Sequence, residues 1–196
     1  MRQCKPFKPD KSWSLFLDRD GVINKRPDNE CLKSVKDFHF IDGVKESIEW
    51  FSGVFGKIFI VTNQQGIGKK ILTEDDLQNI HDFMLSEIKN ANGRIDKIYY
   101  CPALPEENSF FRKPMPGMAL KAKKEFPEIN FMNSVMVGDT LNDMKFGKNL
   151  KMITVYIGVN KKEISQNDKL IDYAFHSLFD FRNFLSSLLE SKYLFV

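Results

Sequence analysis

The chain has 196 residues, of which 42% are hydrophobic and 28% charged, and its 29 basic and 26 acidic residues give a net charge of +3. This length and composition predict one folded domain over 1–196 with an N-terminal tail over 1–13, and they exclude a disordered chain or a membrane-spanning segment. The N-terminus lacks the apolar core of a signal peptide, and the three cysteines are widely spaced, which together favour a reducing cytoplasm. The lysines are scattered along the chain, which favours a solvated surface over a nucleic-acid binding site.

Short apolar runs alternate along the chain with helical patterns. Strands are predicted at residues 14–17, 57–61, 97–100, 134–137, 152–156 and 172–175. Helices are predicted at 43–51, 73–90, 118–125, 141–146 and 176–189. This alternation predicts an α/β fold, a doubly wound, Rossmann-like and mostly parallel sheet with helices on both faces. The connections after the first and third strands are too short for a large cap domain.

The first strand ends in two carboxylates that are separated by one residue. Asp18 and Asp20 can face one small volume, because side chains two apart on an extended chain point the same way. Gly21 then allows a sharp turn and a close approach to a ligand. A solvated acidic turn is the alternative interpretation of this fragment taken alone.

Polar side chains also follow the next three strands. Thr62 and Asn63 follow the second strand, Lys113 lies in the loop after the third strand and shortly before the helix predicted at 118–125, and Asp139 ends the fourth strand. Asp143 lies four residues further on, where a capping box with Thr140 explains it equally well. The segment after the second strand, residues 62–68, is also consistent with a flexible polar loop.

Ligands bind outside the carboxyl ends of the strands in such sheets, so these side chains are expected to meet. Oxygen ligands from Asp18, Asp20 and Asp139 suit Mg²⁺, and Lys113 and Thr62 suit phosphate oxygens. The residues therefore predict a site for phosphoryl transfer.

The four segments together resemble the motifs of the haloacid dehalogenase-like (HAD) superfamily of phosphohydrolases, over about residues 15–158. Asp-Arg-Asp-Gly-Val at 18–22, Thr-Asn-Gln-Gln-Gly-Ile-Gly at 62–68 and Arg-Lys-Pro at 112–114 are similar to one branch. That branch comprises histidinol-phosphate phosphatases and D-glycero-D-manno-heptose 1,7-bisphosphate phosphatases.

The resemblance implies a role for each matching residue. Asp18 would be the nucleophile, Asp20 the general acid and base, and Thr62 and Lys113 the holders of the phosphoryl oxygens. Mg²⁺ would be bound by Asp18, Asp139 and the backbone carbonyl of Asp20. Asp143 would orient Lys113 or a metal-bound water. The substrate contacts would come from Asn63, Arg112 and the loop from Arg26 to Asn29.

Many members of this branch hold a structural zinc in the loop after the third strand, and this sequence departs from them there. Cys101 is present, but Ala103, Ser109 and Phe111 occupy the other three ligand positions. One ligand cannot hold a four-coordinate zinc, so no zinc is predicted, and the Phe110–Phe111 pair is expected to order the loop instead.

The favoured function is a Mg²⁺-dependent phosphatase that acts, as a cytoplasmic monomer, on a small phosphorylated metabolite such as heptose 1,7-bisphosphate or a related sugar phosphate. The alternatives are a histidinol-phosphate phosphatase, a polynucleotide 3′-phosphatase and a non-catalytic phospho-ligand binding protein. No membrane and no nucleic acid are expected as partners.

Overall fold

A computed structural model describes residues 7–26 and 31–191. Six strands form one sheet in the order β3-β2-β1-β4-β5-β6, and every neighbouring pair is parallel. The strands are β1 (Ser14–Leu17), β2 (Lys57–Asn63), β3 (Lys97–Cys101), β4 (Ser134–Gly138), β5 (Ile153–Ile157) and β6 (Tyr173–Phe175). The predicted doubly wound parallel sheet is confirmed, and all six predicted strands are found within two residues of their expected ends.

Among the residues that the structure describes, seven α-helices connect or follow these strands. They are α1 (Val44–Val54), α2 (Gln65–Gly68), α3 (Glu74–Asn90), α4 (Gly117–Glu125), α5 (Leu141–Asn149), α6 (Lys161–Gln166) and α7 (Leu178–Glu190). The sequence patterns missed α2, which is one turn containing two glycines, and α6, which is short and mostly polar. The last helix begins two residues later than expected, because Ser177 is extended and caps it through Asp180 N.

The alternation of side chains in the central strands builds a core on each face of the sheet. Leu15 and Leu17 of β1 join the core that α1, α3 and α7 cover. Phe16 points to the other face, where it meets Phe59 and the core covered by α4 and α5. Central strands that are buried on both faces need apolar residues at every position, which is why these runs are continuous rather than alternating.

The beginning of the described chain packs onto the first of these cores. Phe7 is buried and lies 6.3 Å from Phe181 of α7, with the two rings stacked, and 5.7 Å from Trp13. Residues 7–13 of the predicted tail thus belong to the folded body. Over the described ranges, none of the helices combines the length and the apolarity needed to cross a bilayer.

The two connections that border the carboxyl edge are short. Between β1 and β2 the described residues contain α1 and one turn of 3-10 helix at Val35–Asp37, and between β3 and α4 they contain one such turn at Pro105–Glu107. The expectation of no large cap domain is confirmed, and the carboxyl edge of the sheet is bordered by loops.

Candidate active site

Lys113 is the centre of a buried charge cluster at the carboxyl edge of the sheet. Its Nζ atom lies 2.9 Å from Asp18 Oδ1 and 2.6 Å from Asp143 Oδ1, and it donates to the Val61 carbonyl at 2.7 Å. Burial lowers the pKa of Lys113, but the carboxylates of Asp143 and Asp18 outweigh burial and raise that pKa above its ordinary value. The lysine is therefore a fixed cation between two acids.

The two carboxylate oxygens of Asp143 contact different partners. Its Oδ1 faces Lys113, while its Oδ2 accepts hydrogen bonds from the backbone N and Oγ1 of Thr140 at 3.1 and 2.5 Å. The capping box at the start of α5 thus holds the side chain that in turn holds Lys113.

Asp18 directly follows β1, and its backbone N donates to Val137 O of β4 at 2.9 Å. Burial raises the pKa of this carboxyl to about 7, and the charge of Asp143 adds to the rise against the opposing effect of Lys113. A bound cation would relieve such repulsion.

Asp20 points into a different set of partners. Its Oδ1 accepts from Arg19 Nε, Arg19 Nη2 and Asn24 Nδ2 at 3.2, 2.9 and 2.9 Å, and its Oδ2 accepts from Gln64 Nε2 at 2.9 Å. Burial raises the pKa of Asp20, but the Arg19 guanidinium, Asn24 and Gln64 outweigh it and hold that pKa below its ordinary value. Asp20 is therefore a carboxylate in the free protein.

Arg26 reaches across to the end of β4. Its Nη2 donates to Asp139 Oδ1 and Oδ2 at 2.7 Å each, and to the backbone carbonyl of Asp20 at 3.3 Å. Gly21 allows this close arrangement, because its φ is +88° and a Cβ atom there would overlap the Asp139 carboxylate.

The donor set fits a hard divalent cation. Carboxylate oxygens of Asp18, Asp139 and Asp143 lie within 4.8 Å of one another, and Arg26 brings the Asp20 carbonyl close to Asp139. Mg²⁺ takes hard oxygen ligands, usually one or two carboxylates together with water, and this cluster offers more carboxylate oxygens than that number requires. The Asp20 carboxylate is engaged elsewhere, so this residue offers only its backbone oxygen.

Asn63 and Lys113 are joined in both directions. Asn63 Nδ2 donates to Lys113 O at 3.1 Å, and Lys113 N donates to Asn63 Oδ1 at 3.0 Å. The Asn63 amide thus holds the lysine backbone against the end of β2, in addition to bordering the cavity. The following peptide bond, between Lys113 and Pro114, is cis.

The cavity at this edge has a volume of about 330 Å³. Eight of the ten predicted site residues line it, namely Asp18, Asp20, Arg26, Thr62, Asn63, Arg112, Lys113 and Asp143. Asp139 does not line the cavity but binds Arg26, which does. Asn29 lies outside the described residues. Gln65, Thr140 and Asn142 also line the cavity but were not predicted as site residues. Thr140 and Asn142 adjoin the predicted residues Asp139 and Asp143, and Gln65 lies two residues after Asn63.

The loop before α4 is ordered by polar contacts, which corrects the expectation that an aromatic pair orders it. Phe110 and Phe111 do contact each other, with ring centroids 5.9 Å apart, but their side chains are 50% and 44% exposed. Arg112 Nη1 instead donates to Ala103 O at 2.8 Å, and Cys101 Sγ lies 3.8 Å from Ser109 Oγ. Two half-exposed rings bury too little surface to fix a loop, whereas a guanidinium bound to a carbonyl and to Gln65 Oε1 spans it.

Sequence reasoning missed the residues that hold Asp20. Arg19 is fully buried, and its guanidinium binds Asp20 and Gln64 within the protein. The alternation along β1 was the available signal, since it places Arg19 opposite to Asp18 and Asp20, but it does not say that a charge there finds partners.

Comparisons with known proteins identify relatives of this chain. The profile of the family described as polynucleotide kinase 3 phosphatase matches residues 15–181. A D-glycero-alpha-D-manno-heptose-1,7-bisphosphate 7-phosphatase from Campylobacter jejuni is 42% identical over 154 residues, covering 78% of this chain and 87% of the relative. A D-glycero-beta-D-manno-heptose-1,7-bisphosphate 7-phosphatase from Haemophilus influenzae is 32% identical over 182 residues, covering 89% of this chain and 97% of the relative.

A solved structure shares the fold. D,D-heptose 1,7-bisphosphate phosphatase from B. bronchiseptica, complexed with magnesium and phosphate, superposes with a TM-score of 0.80 at 23% identity, over 89% of this chain and 98% of that one. The family profile spans most of the chain, and the relatives of highest identity given above are phosphatases. The chain therefore belongs to the HAD-like phosphatases, in the family described as polynucleotide kinase 3 phosphatase.

Proposed function

We propose that this phosphatase hydrolyses a sugar phosphate through an aspartyl-phosphate at Asp18, and that heptose 1,7-bisphosphate is its substrate. The observation that carries the proposal is the buried cluster in which Lys113 lies between Asp18 and Asp143, with Thr62 lining the same cavity. Such a cluster neutralises the charge of a phosphoryl group and positions a carboxylate to attack it.

Asp18 is proposed to act as the nucleophile. Within the described residues, both hydrogen-bonding partners of its carboxylate, Arg19 N and Lys113 Nζ, fall on Oδ1, which leaves Oδ2 to attack phosphorus. As the Oδ2–phosphorus bond forms, the bond between phosphorus and the leaving oxygen breaks, and the proton of Asp20 passes to that oxygen. Water then attacks phosphorus and gives a proton to Asp20, and the Oδ2–phosphorus bond breaks, which restores the Asp18 carboxylate and releases inorganic phosphate.

The surroundings of Asp20 suit the second half of this sequence directly. Arg19, Asn24 and Gln64 keep it as a carboxylate, the form that accepts a proton from water. For the first half it must carry a proton, and a phosphoryl dianion beside it raises its affinity for one.

A Mg²⁺ ion is proposed to be held by the carboxylates of Asp18 and Asp139 and by the Asp20 carbonyl. When bound, it supplies positive charge that suppresses the repulsion between the attacking carboxylate and the phosphoryl oxygens. Arg26 and Arg112 line the cavity. We propose that the guanidinium N–H groups not already bound to Asp139, Ala103 O or Gln65 bind the hydroxyls or the second phosphate of the sugar.

A second candidate is the hydrolysis of a 3′-phosphorylated polynucleotide, which the family description favours. The small net charge of +3 argues against it, because binding a nucleic-acid backbone requires a concentrated basic face. We also propose that the sugar phosphatase is a cytoplasmic monomer that holds no zinc. Zinc is not expected because the other three ligand positions in the loop after β3 offer no sulfur or imidazole beside Cys101.

A substrate panel with Mg²⁺ tests the proposal. We expect the highest kcat/KM for one anomer of heptose 1,7-bisphosphate, lower values for histidinol phosphate, and little turnover of a 3′-phosphorylated oligonucleotide. The Asp18→Asn variant should lose activity on every member of the panel. A preference for the oligonucleotide would establish the second candidate, and unchanged turnover by Asp18→Asn would refute the nucleophile.

A further inference from the structure

Gln64 links two functional side chains without lining the cavity itself. It directly follows β2, is 2% exposed, and its Nε2 donates to Thr62 Oγ1 at 2.8 Å and to Asp20 Oδ2 at 2.9 Å. The two hydrogens of the amide are thereby both used. One buried side chain connects the hydroxyl proposed to hold the phosphate with the proposed acid and base.

Arg19 fixes the orientation of the Gln64 amide. Gln64 Oε1 lies 3.1 Å from Arg19 Nη2, and a guanidinium can only donate, so the oxygen must face Arg19 and the nitrogen must face Thr62 and Asp20. Arg19 is itself fully buried and cannot turn away, since Asp20 holds it on one side.

His81 completes the support on the other side of Arg19. Its Nε2 lies 3.3 Å from Arg19 Nη1, and it must accept there because the guanidinium only donates. Burial, with the charge of Arg19 adding to it, lowers the pKa of His81 to about 3, in agreement with a neutral ring that can accept. The network therefore has one consistent set of donors and acceptors from His81 to Thr62.

The direction of these hydrogen bonds determines what Thr62 can offer. Because Gln64 donates to Thr62 Oγ1, the hydroxyl is the acceptor in that contact and its own hydrogen is left to donate elsewhere. Thr62 lines the cavity, so the acceptor available there is a phosphoryl oxygen of the substrate. The same amide fixes the side chain of Asp20 by its hydrogen bond to Oδ2.

We propose that Gln64 is a positioning residue, which aligns the Thr62 hydroxyl and the Asp20 carboxylate together and owes its own orientation to buried Arg19. This inference rests on the roles proposed above for Thr62 and Asp20. It assigns to Gln64 no contact with the substrate.

Two substitutions test this, Gln64→Met and Gln64→Glu. Methionine keeps the length of the side chain and removes the two hydrogen bonds that Nε2 donates to Thr62 and Asp20, together with the one that Oε1 accepts from Arg19. Glutamate keeps the shape and an oxygen toward Arg19, but it turns the donor into an acceptor, so that it repels Asp20 and captures the Thr62 hydrogen. A role in packing alone predicts that the isosteric glutamate is the milder change, whereas the proposal predicts that it is at least as harmful as methionine.

The readout is the dependence of kcat on the leaving group. An alkyl phosphate needs a proton from Asp20, whereas 4-nitrophenyl phosphate leaves without one. General acid catalysis contributes about 10²–10⁴-fold. We therefore expect both variants to lose roughly 10- to 100-fold in kcat on the alkyl ester and several-fold less on the aryl ester. Inhibition by orthovanadate, which reports on Thr62, should weaken about tenfold in both.

Asp20→Asn and Thr154→Val are the references. The first gives the change in the alkyl-to-aryl ratio when the acid is lost. The second removes hydrogen bonds of a buried side chain remote from the site, those to Leu170 O and Asp172, and shows how far lost stability alone moves kcat.

An unchanged alkyl-to-aryl ratio and unchanged vanadate inhibition in a folded Gln64 variant would overturn the proposal. If Gln64→Met does not fold, Gln64→Glu decides by the same measurements, and wild-type behaviour of that variant refutes the proposal. If Asp20→Asn leaves the ratio unchanged, the assignment of Asp20 fails instead, and vanadate inhibition still decides whether Gln64 aligns Thr62.

Discussion

Asp18 lies among carboxylates whose charges oppose its own ionisation. Asp143 and Asp139 both raise its pKa, and Lys113 compensates only in part. Burying several carboxylates close together destabilises a folded protein, so stability alone does not explain this arrangement. The arrangement is instead prepared for a ligand of opposite charge, and it makes the free protein sensitive to pH at this residue.

We predict that Asp18→Asn stabilises the metal-free protein at pH 8. The native pKa of about 7 exceeds the unfolded value near 3.8, so the folded state binds more protons between these values and stability falls as pH rises through them. The gain should be on the order of 1–3 kcal/mol at pH 8 and should disappear near pH 4. Chemical denaturation at both pH values measures it.

Asp42→Asn is the control, because it makes the same chemical change at an exposed position. Its free energy of unfolding should follow that of the parent protein across the range. A gain for Asp18→Asn that is equal at both pH values would contradict the electrostatic explanation.

Gly21→Ala should weaken cation binding. The new Cβ would overlap the Asp139 carboxylate, and the φ of +88° disfavours alanine as well. Changing a residue that orients a metal ligand typically costs about 10- to 100-fold in affinity, and we expect a loss of at least this size. Calorimetric titration with Mn²⁺ in the absence of substrate measures this.

Gly53→Ala provides the matched comparison for this variant. Gly53 lies within α1, and a Cβ there would meet no atom within 4 Å. Its Mn²⁺ affinity should equal that of the parent protein. Equal affinity in Gly21→Ala would show that Asp139 does not bind the cation.

At the scale of elements, α7 closes the core that α1 and α3 share with the sheet. Phe181 of α7 is fully buried, 5.7 Å from Phe51 of α1 and 5.4 Å from Phe175 of β6. Its neighbour two residues earlier, Phe179, is 39% exposed. The two residues differ in burial because they lie on different sides of the same helix.

Phe181→Ala should destabilise the protein by about 3–5 kcal/mol, because it leaves a large cavity in a close-packed core. Phe179→Ala should cost much less. Urea denaturation of both variants provides the measurement. Similar losses at the two positions would mean that α7 does not pack through Phe181.

The strands and several of the residues at the carboxyl edge of the sheet were predictable from the sequence, whereas the contacts of those residues were not. Continuous apolar runs identified all six strands, and the rule that ligands bind beyond strand carboxyl ends identified Asp18, Lys113 and Asp139. The partners of these residues were not predictable. Asn63 and Lys113 meet across 50 residues of sequence, and Arg19 is buried because Gln64 and His81 happen to receive it. Such contacts depend on tertiary packing rather than on local pattern.

For the whole molecule, substrate access depends on loops, since no large cap covers the described carboxyl edge. The predicted attack of Asp18 on phosphorus can be tested there without a substrate. Beryllium fluoride with Mg²⁺ imitates a phosphoryl group on a carboxylate. At a hundredfold excess over Kd, a ligand stabilises the native state by about 2.7 kcal/mol, which for this length raises Tm by roughly 5–10 °C.

In Asp18→Asn, beryllium fluoride should not raise Tm, because the variant has no carboxylate at residue 18 to bind the beryllium. Mg²⁺ with fluoride but without beryllium is the control. The same rise in Tm in the variant would place the acceptor elsewhere in the molecule.

The two-way contact between Asn63 and Lys113 has a consequence for how this architecture can diversify. A side-chain amide anchors the lysine from the neighbouring strand, so the chain from residue 102 to residue 110 is not needed to hold it. That stretch can lengthen, shorten or exchange its sequence while the charged centre stays where it is. Substitutions, insertions or deletions within residues 102–110 can therefore change the specificity of a relative, and a new recognition loop can be grafted in place of this segment.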